Sequence, residues 1–268
     1  MSEGYIGFIG IGSQGGPMAH RIVDAGMKLT VWARRPEALE PYTAKGAKAA
    51  ASVAELGAAC DHVGVCVVND GDVRQVCDQL IPAMKPGSRI AIHSTVHPDT
   101  CLDLERQCEE RGIGMIDAPV SGGSPAAEAG TLTIMCGATP ELFEAARPVF
   151  ATFGKLIVLL GPVGAGQHVK LINNAMLAAN MGIAHAALDA ATALGIEKAA
   201  LSELIRESSG RSFGFEVYAR LPTPSAFSHG APLLVKDVNL LKAVLPDNAG
   251  AEALRAAAEP FLSAATSS

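Results

Sequence analysis

Gly7-Phe8-Ile9-Gly10-Ile11-Gly12-Ser13-Gln14-Gly15-Gly16-Pro17-Met18-Ala19 is the stretch on which the fold turns. The apolar run at 5–10 reads as a short strand. Gly10-Ile11-Gly12-Ser13-Gln14-Gly15 follows at once, and a helical pattern occupies 17–25. A GxGxxG match carries weight only in that setting, with a strand before it and a helix after it. Gly10 then permits a tight turn, Gly12 lets the backbone approach a pyrophosphate, and Gly15 lets helix and strand pack closely. Backbone N–H groups at the helix start face the phosphates. These six residues are expected to bind a dinucleotide.

Working outward, the strand pattern recurs at 29–32, 63–68, 89–93 and 114–117. Helical patterns lie between, notably 73–81 and 98–111. Strands alternating with helices imply βαβ units and a parallel sheet. A strand at 131–136, a helix from 140 to 152 and a strand at 156–160 carry the first domain to residue 161. The Gly-rich run Gly161-Pro162-Val163-Gly164-Ala165-Gly166 then breaks the alternation. Residues 167–194 read as one helix about 40 Å long. The expected fold is α/β: a Rossmann-type doubly wound sheet in 1–161 and an all-helical domain in 162–268, joined by that helix. A helix of this length suits a spine that packs against another subunit, so a homodimer or homotetramer is expected.

The 268 residues are 49% hydrophobic and 18% charged, which allows a sizeable core and argues against disorder. A net charge of -6 gives no basic face for nucleic acid. Met1-Ser2-Glu3-Gly4 lacks the basic start of a signal peptide. The Ala-rich stretch 171–196 is interrupted by Asn173, Asn174, Asn180, His185 and Asp189, so no membrane span is expected. Six cysteines without a CxxC pair are expected as reduced thiols in a cytoplasmic protein. His93 and His97 bracket a strand end, with no third ligand, and no metal site is expected. Ser121 has no nucleophile-elbow pattern around it.

The second strand ends in Val31-Trp32-Ala33-Arg34-Arg35-Pro36. A site that prefers NAD usually places an acid there for the ribose hydroxyls. Here two arginines stand instead, and they would attract a 2'-phosphate. NADP is therefore expected over NAD, with Ala33, Arg34 and Arg35 in the site.

Three further segments carry polar groups. Asp117-Ala118-Pro119-Val120-Ser121-Gly122-Gly123 is either a plain loop or a carboxylate-holding one, with the Ser121 hydroxyl beside exposed N–H groups. Lys170 and Asn174 share one helix face among apolar Val169, Leu171, Ile172 and Met176. A lysine so placed either snorkels to water or has a function. Lys236-Asp237 alone reads as a surface pair at a helix start.

Together these segments resemble the β-hydroxyacid dehydrogenase family, which includes 3-hydroxyisobutyrate dehydrogenases and tartronate or succinic semialdehyde reductases. The matching motifs, in order, are the glycine stretch at 7–19, the segment 117–123, Gly161-Pro162-Val163-Gly164-Ala165-Gly166-Gln167-His168-Val169-Lys170-Leu171-Ile172-Asn173-Asn174, and Lys236-Asp237-Val238-Asn239-Leu240. The resemblance spans nearly the whole chain. It implies Lys170 as the catalytic acid/base, Asn174 as the residue that orients substrate, and Ser121, Gly122 and Gly123 as the substrate carboxylate site. It places Thr95 beside the nicotinamide, Lys236 over cofactor and substrate, and Val68 and Asn69 on the adenosine side, where many members carry Leu-Pro. A lysine of ordinary pKa, about 10.4, is a poor base near neutrality, and burial beside a nicotinamide cation would lower it.

The reaction so implied interconverts a small β-hydroxy acid and its semialdehyde or keto acid. The chain departs from the pattern by ending soon after the Lys236 helix, which bears on the C-terminal wall of the substrate pocket. Phe213, Phe215 and Phe227 either line that pocket or pack in the core. Two rival readings remain: an imine reductase on the same scaffold, whose members usually lack the lysine, and a non-catalytic NADP-binding module.

Overall fold

The alternation becomes a nine-stranded sheet in the computed structural model, which describes residues 5–267. The strands are β1 (Ile6–Ile9), β2 (Leu29–Trp32), β3 (Lys48–Ala49), β4 (His62–Val65), β5 (Arg89–Ile92), β6 (Gly114–Asp117), β7 (Val120–Ser121), β8 (Leu132–Gly137) and β9 (Gly154–Gly161). Strands β3-β2-β1-β4-β5-β6 are mutually parallel and lie in that order. This is the order of the dinucleotide-binding double βαβαβ fold, with its topological switch between β1 and β4. β8 joins β6 antiparallel, pairs antiparallel with β7, and receives β9 parallel on its other side.

Both sheet faces are covered, as the apolar alternation requires. Ile6 and Phe8 point into a core with Met18, Ile22, Val31, Phe150 and Phe153. Ile9 points the other way, into a core with Leu56, Val63, Val65, Leu80 and Ile92. Two strands were not anticipated. β3 and β7 have two residues each, too few to show a period.

The chain divides into two compact units, Met1–Lys170 and Leu171–Ser268, and the division falls inside the helix Ala165–Ala193. The second unit has its own core, built from Leu171, Ala175, Met181, Phe215, Tyr218, Leu241 and Phe261. Gly182 permits a close helix crossing there, since a Cβ on it would lie 1.9 Å from the Ala257 carbonyl oxygen. Of the three phenylalanines with two readings, Phe215 is core and Phe227 packs at a tilt against Phe261, with ring centroids 5.8 Å apart. Phe213 is 68% exposed and is therefore not part of the core.

Candidate active site

The glycine loop leaves β1 and enters the helix Gly15–Asp24. A Cβ on Gly10 would lie 2.1 Å from the Cys66 carbonyl oxygen, and one on Gly15 would lie 2.0 Å from the Gly10 carbonyl oxygen. Packing therefore forbids side chains at both positions. Gly12 differs: it is exposed, and a Cβ there would meet nothing within 4 Å. The space beside its backbone is open, as a docking pyrophosphate requires. The helix start has no acidic residue in its first turn, and Gln14 makes no side-chain cap. Its N–H groups and positive dipole end suit an anion. Ile11 is half-buried, and the exposed Ser13 accepts a hydrogen bond from Ser124 Oγ at its carbonyl (2.6 Å). The residues present fit a dinucleotide.

At the end of β2, Ala33 is half-buried while Arg34 and Arg35 stand exposed in a bend. Arg34 pairs with Asp72. Asn69 accepts the Asp72 N–H at its side-chain oxygen (2.9 Å) and so caps the helix Asp70–Leu80. Val68, just before it, is 61% exposed. Asp72 was not singled out in the sequence. The cap pattern, asparagine three residues before an acid, was the available signal.

The buried carboxylate Asp117 ends β6. It accepts N–H hydrogen bonds from Gly164 and Gln167, each 2.7 Å, and thereby caps the helix that carries Lys170. Burial pushes its pKa up to about 6, against the opposing pull of those N–H groups. Gly166 makes room for the carboxylate, because a Cβ on it would lie 2.8 Å from Asp117 Oδ2. Gln167 is fully buried, and its side chain spans two neighbouring peptide groups. Its Nε2 donates to the Ser94 carbonyl (2.9 Å), and its Oε1 accepts the Val96 N–H (3.2 Å). Thr95, half-buried, sits between them. Lys170 follows three residues later and is 8% exposed.

Ser121 lies in β7 rather than in a loop. Gly122 and Gly123 both have positive φ, +129° and +67°, a backbone that residues with a Cβ rarely adopt. They turn the chain into the helix Gly123–Ala129.

In the second unit, Asn174 Nδ2 donates to Asp237 Oδ2 (2.6 Å). Lys236 Nζ lies 3.3 Å from the other Asp237 oxygen. That contact is an ion pair without hydrogen-bond geometry, since among the described residues Oδ1 has no hydrogen-bond partner. Asp237 is 3% exposed, so the pair is not the surface feature its sequence suggested. Helix Ala231–Val244 starts five residues before Lys236 and turns Asp237 inward.

His93 lies buried against Phe8, Phe150 and Phe153, and His97 caps the helix Pro98–Glu109. Among the described residues no group of three or more His, Cys, Asp or Glu is placed to hold a metal. Burial raises the Cys66 and Cys136 thiols to about 12, which leaves them protonated and unreactive near neutrality.

The model for the NAD binding domain of 6-phosphogluconate dehydrogenase matches residues 5–161, and that for the NAD-binding part of NADP-dependent 3-hydroxyisobutyrate dehydrogenase matches 164–268. The chain belongs to the β-hydroxyacid dehydrogenase family. It is 37% identical to 2-(hydroxymethyl)glutarate dehydrogenase of Eubacterium barkeri, over 79% of this chain and 71% of the relative. It is 36% identical to the NAD-dependent L-serine dehydrogenase of Pseudomonas aeruginosa, over 88% and 83%. The solved 3-hydroxyisobutyrate dehydrogenase of Mycobacterium tuberculosis, with L-serine, superposes with a TM-score of 0.86 at 27% identity, covering 97% of this chain and 93% of that one. The chain is thus an NAD(P)-dependent β-hydroxyacid dehydrogenase of the 3-hydroxyisobutyrate dehydrogenase type, acting on a CH–OH group.

Proposed function

We propose that this dehydrogenase prefers NADP and interconverts a small β-hydroxy acid and its semialdehyde or keto acid, with Lys170 as acid/base. The observation that carries this reading is the seating of Lys170. It is a buried lysine one turn beyond a helix start held by Asp117 and Gln167. A side chain that only snorkelled would reach water instead.

A bound dinucleotide would give a hydride to the substrate carbonyl carbon in reduction and accept one from the carbinol carbon in oxidation. The chain's residues do the rest. In reduction Lys170 Nζ delivers a proton to the substrate oxygen, and in oxidation it takes one. The Ser121 hydroxyl and the Gly122 and Gly123 N–H groups hold the substrate carboxylate. Asn174 orients the substrate, and Lys236 closes over it. Thr95 lies beside the nicotinamide. Arg34 and Arg35 hold the 2'-phosphate, with Val68 and Asn69 on the adenosine side. The relatives act on L-serine and 2-(hydroxymethyl)glutarate, acids with a hydroxymethyl group one carbon from the carboxylate. Such acids are the substrate class proposed here.

A homodimer or homotetramer and a cytoplasmic location belong to the same reading. Among the described residues no helix is long and apolar enough to cross a membrane. Neither a nucleic-acid nor a membrane partner enters the reading. The imine reductase alternative has no use for a carboxylate site or for Lys170.

Lys170→Ala is expected to abolish reduction of short semialdehydes while NADPH still binds, as followed by fluorescence titration. Near-normal turnover in that variant refutes the assignment. Turnover of cyclic imines in preference to semialdehydes favours the rival enzyme, and tight NADPH binding without turnover of any aldehyde acid favours the non-catalytic module.

A further inference from the structure

The end of β2 presents two positive charges, and the structure sets one negative charge against them. Arg34 pairs with Asp72, whose side chain is 17% exposed while that of Arg34 is 66% exposed. The carboxylate is the fixed partner. Its backbone N–H is held by the Asn69 side chain at 2.9 Å. Asp70, the other acid in the same helical turn, is committed elsewhere, because its Oδ1 accepts from the His97 N–H (2.8 Å) and the Thr100 hydroxyl (2.7 Å). Asp72 is the acid of this turn that pairs with Arg34.

We propose that Asp72 is a specificity-determining residue that weakens discrimination between NADP and NAD by holding the Arg34 guanidinium in an ion pair. This rests on reading Arg34 and Arg35 as the 2'-phosphate site. With Asp72 present the trio carries a net charge of +1, and a 2'-phosphate must share Arg34 with a carboxylate that repels it. A dinucleotide without that phosphate leaves the pair undisturbed. The chain has no acid on β2 itself to hold the ribose hydroxyls. An acid brought from the neighbouring helix takes over part of the discrimination, not by binding the ribose but by tempering the arginine. The pair is partly exposed, so its effect is modest and falls with salt.

The test uses the whole protein and its single tryptophan, Trp32, two residues before Arg34. Quenching of Trp32 fluorescence by NADPH and by NADH gives both dissociation constants for wild type, Asp72→Asn, Arg34→Ala and the double variant. Asparagine keeps the shape and removes the charge. Asp72→Asn is expected to tighten NADPH about fivefold at low salt and to leave NADH within about twofold, with a smaller gain in the Arg34→Ala background. An unchanged NADPH-to-NADH ratio in Asp72→Asn, or weaker NADPH binding, overturns the inference while Arg34→Ala still lowers NADPH affinity. An unchanged ratio in Arg34→Ala instead overturns the 2'-phosphate reading beneath it.

Discussion

Replacing Asp117 by asparagine should change not only how stable the first unit is but how that stability depends on pH. Burial lifts this carboxyl from an ordinary 3.8 to about 6. The folded protein therefore keeps the proton to higher pH than the unfolded chain does. Stability from this group is fully present below about pH 4 and is lost as pH rises through 6. The whole loss corresponds to about 3 kcal/mol, at about 1.4 kcal/mol per tenfold change. Roughly 1 kcal/mol of it falls between pH 5 and pH 7. Asparagine does not titrate, and it turns an amide N–H toward one of the two N–H groups that Asp117 accepts. That mismatch costs about 1–3 kcal/mol at every pH. The variant should be less stable than wild type at pH 5, and the gap should narrow by about 1 kcal/mol at pH 7. Urea unfolding followed through Trp32, which lies in the same unit, measures this directly if the two proteins share one m-value. A gap that stays constant or widens toward pH 7 would mean that the two N–H groups outweigh burial, and the reasoning fails.

Other outcomes follow from the same geometry. Gly12→Ala should leave the melting temperature nearly unchanged and weaken dinucleotide binding at least about tenfold, because its Cβ meets no protein atom but occupies the approach to the backbone. Gly15→Ala should do the reverse first: a Cβ 2.0 Å from the Gly10 carbonyl oxygen forces the helix off the sheet, at about 1–3 kcal/mol in denaturant titration. Equal loss of stability in both variants would contradict this division of labour. Asp237→Ala leaves the buried Asn174 amide without its acceptor and should cost about 1–3 kcal/mol, with a fall in kcat if Asn174 orients substrate. Steady-state kinetics with both dinucleotides should give a higher kcat/KM for NADPH than for NADH. A clear NADH preference removes the role given to Arg34 and Arg35.

The parallel core was legible because its signals are local. β2 and β6 fall where the apolar runs at 29–32 and 114–117 put them. The run at 63–68 is less simple: its strand spans His62–Val65, and Val67 leaves the sheet to donate its N–H to Ser94 Oγ. Apolarity alone cannot distinguish a strand from the loop that lines its end. The long helix begins at Ala165, two residues before its expected start, because its cap is Asp117, far away in sequence. A non-local cap leaves no mark in the helix's own residues. Asp237 was misjudged for a similar reason: its burial follows from Asn174, and no pattern around 237 announces it. The role of Gln167 in bridging the peptides around Thr95 is not visible in its own stretch of sequence. A glutamine between glycines and an apolar helix was the only hint available.

That glutamine has a consequence for what lengths of chain the fold tolerates. Its amide grips the peptides on both sides of Thr95, while the backbone of its own turn is gripped by Asp117. Adding or removing one residue between Gly164 and Gln167, whose N–H groups Asp117 holds, would turn the side chain about 100° around the helix axis. The contacts to Ser94 and Val96 would be lost together rather than one at a time. This short connection is length-locked in a way that the surface turns are not. Drift in the sequence can change which residues fill it, but an insertion there would rotate the Gln167 face away from the segment that follows β5 in a single step.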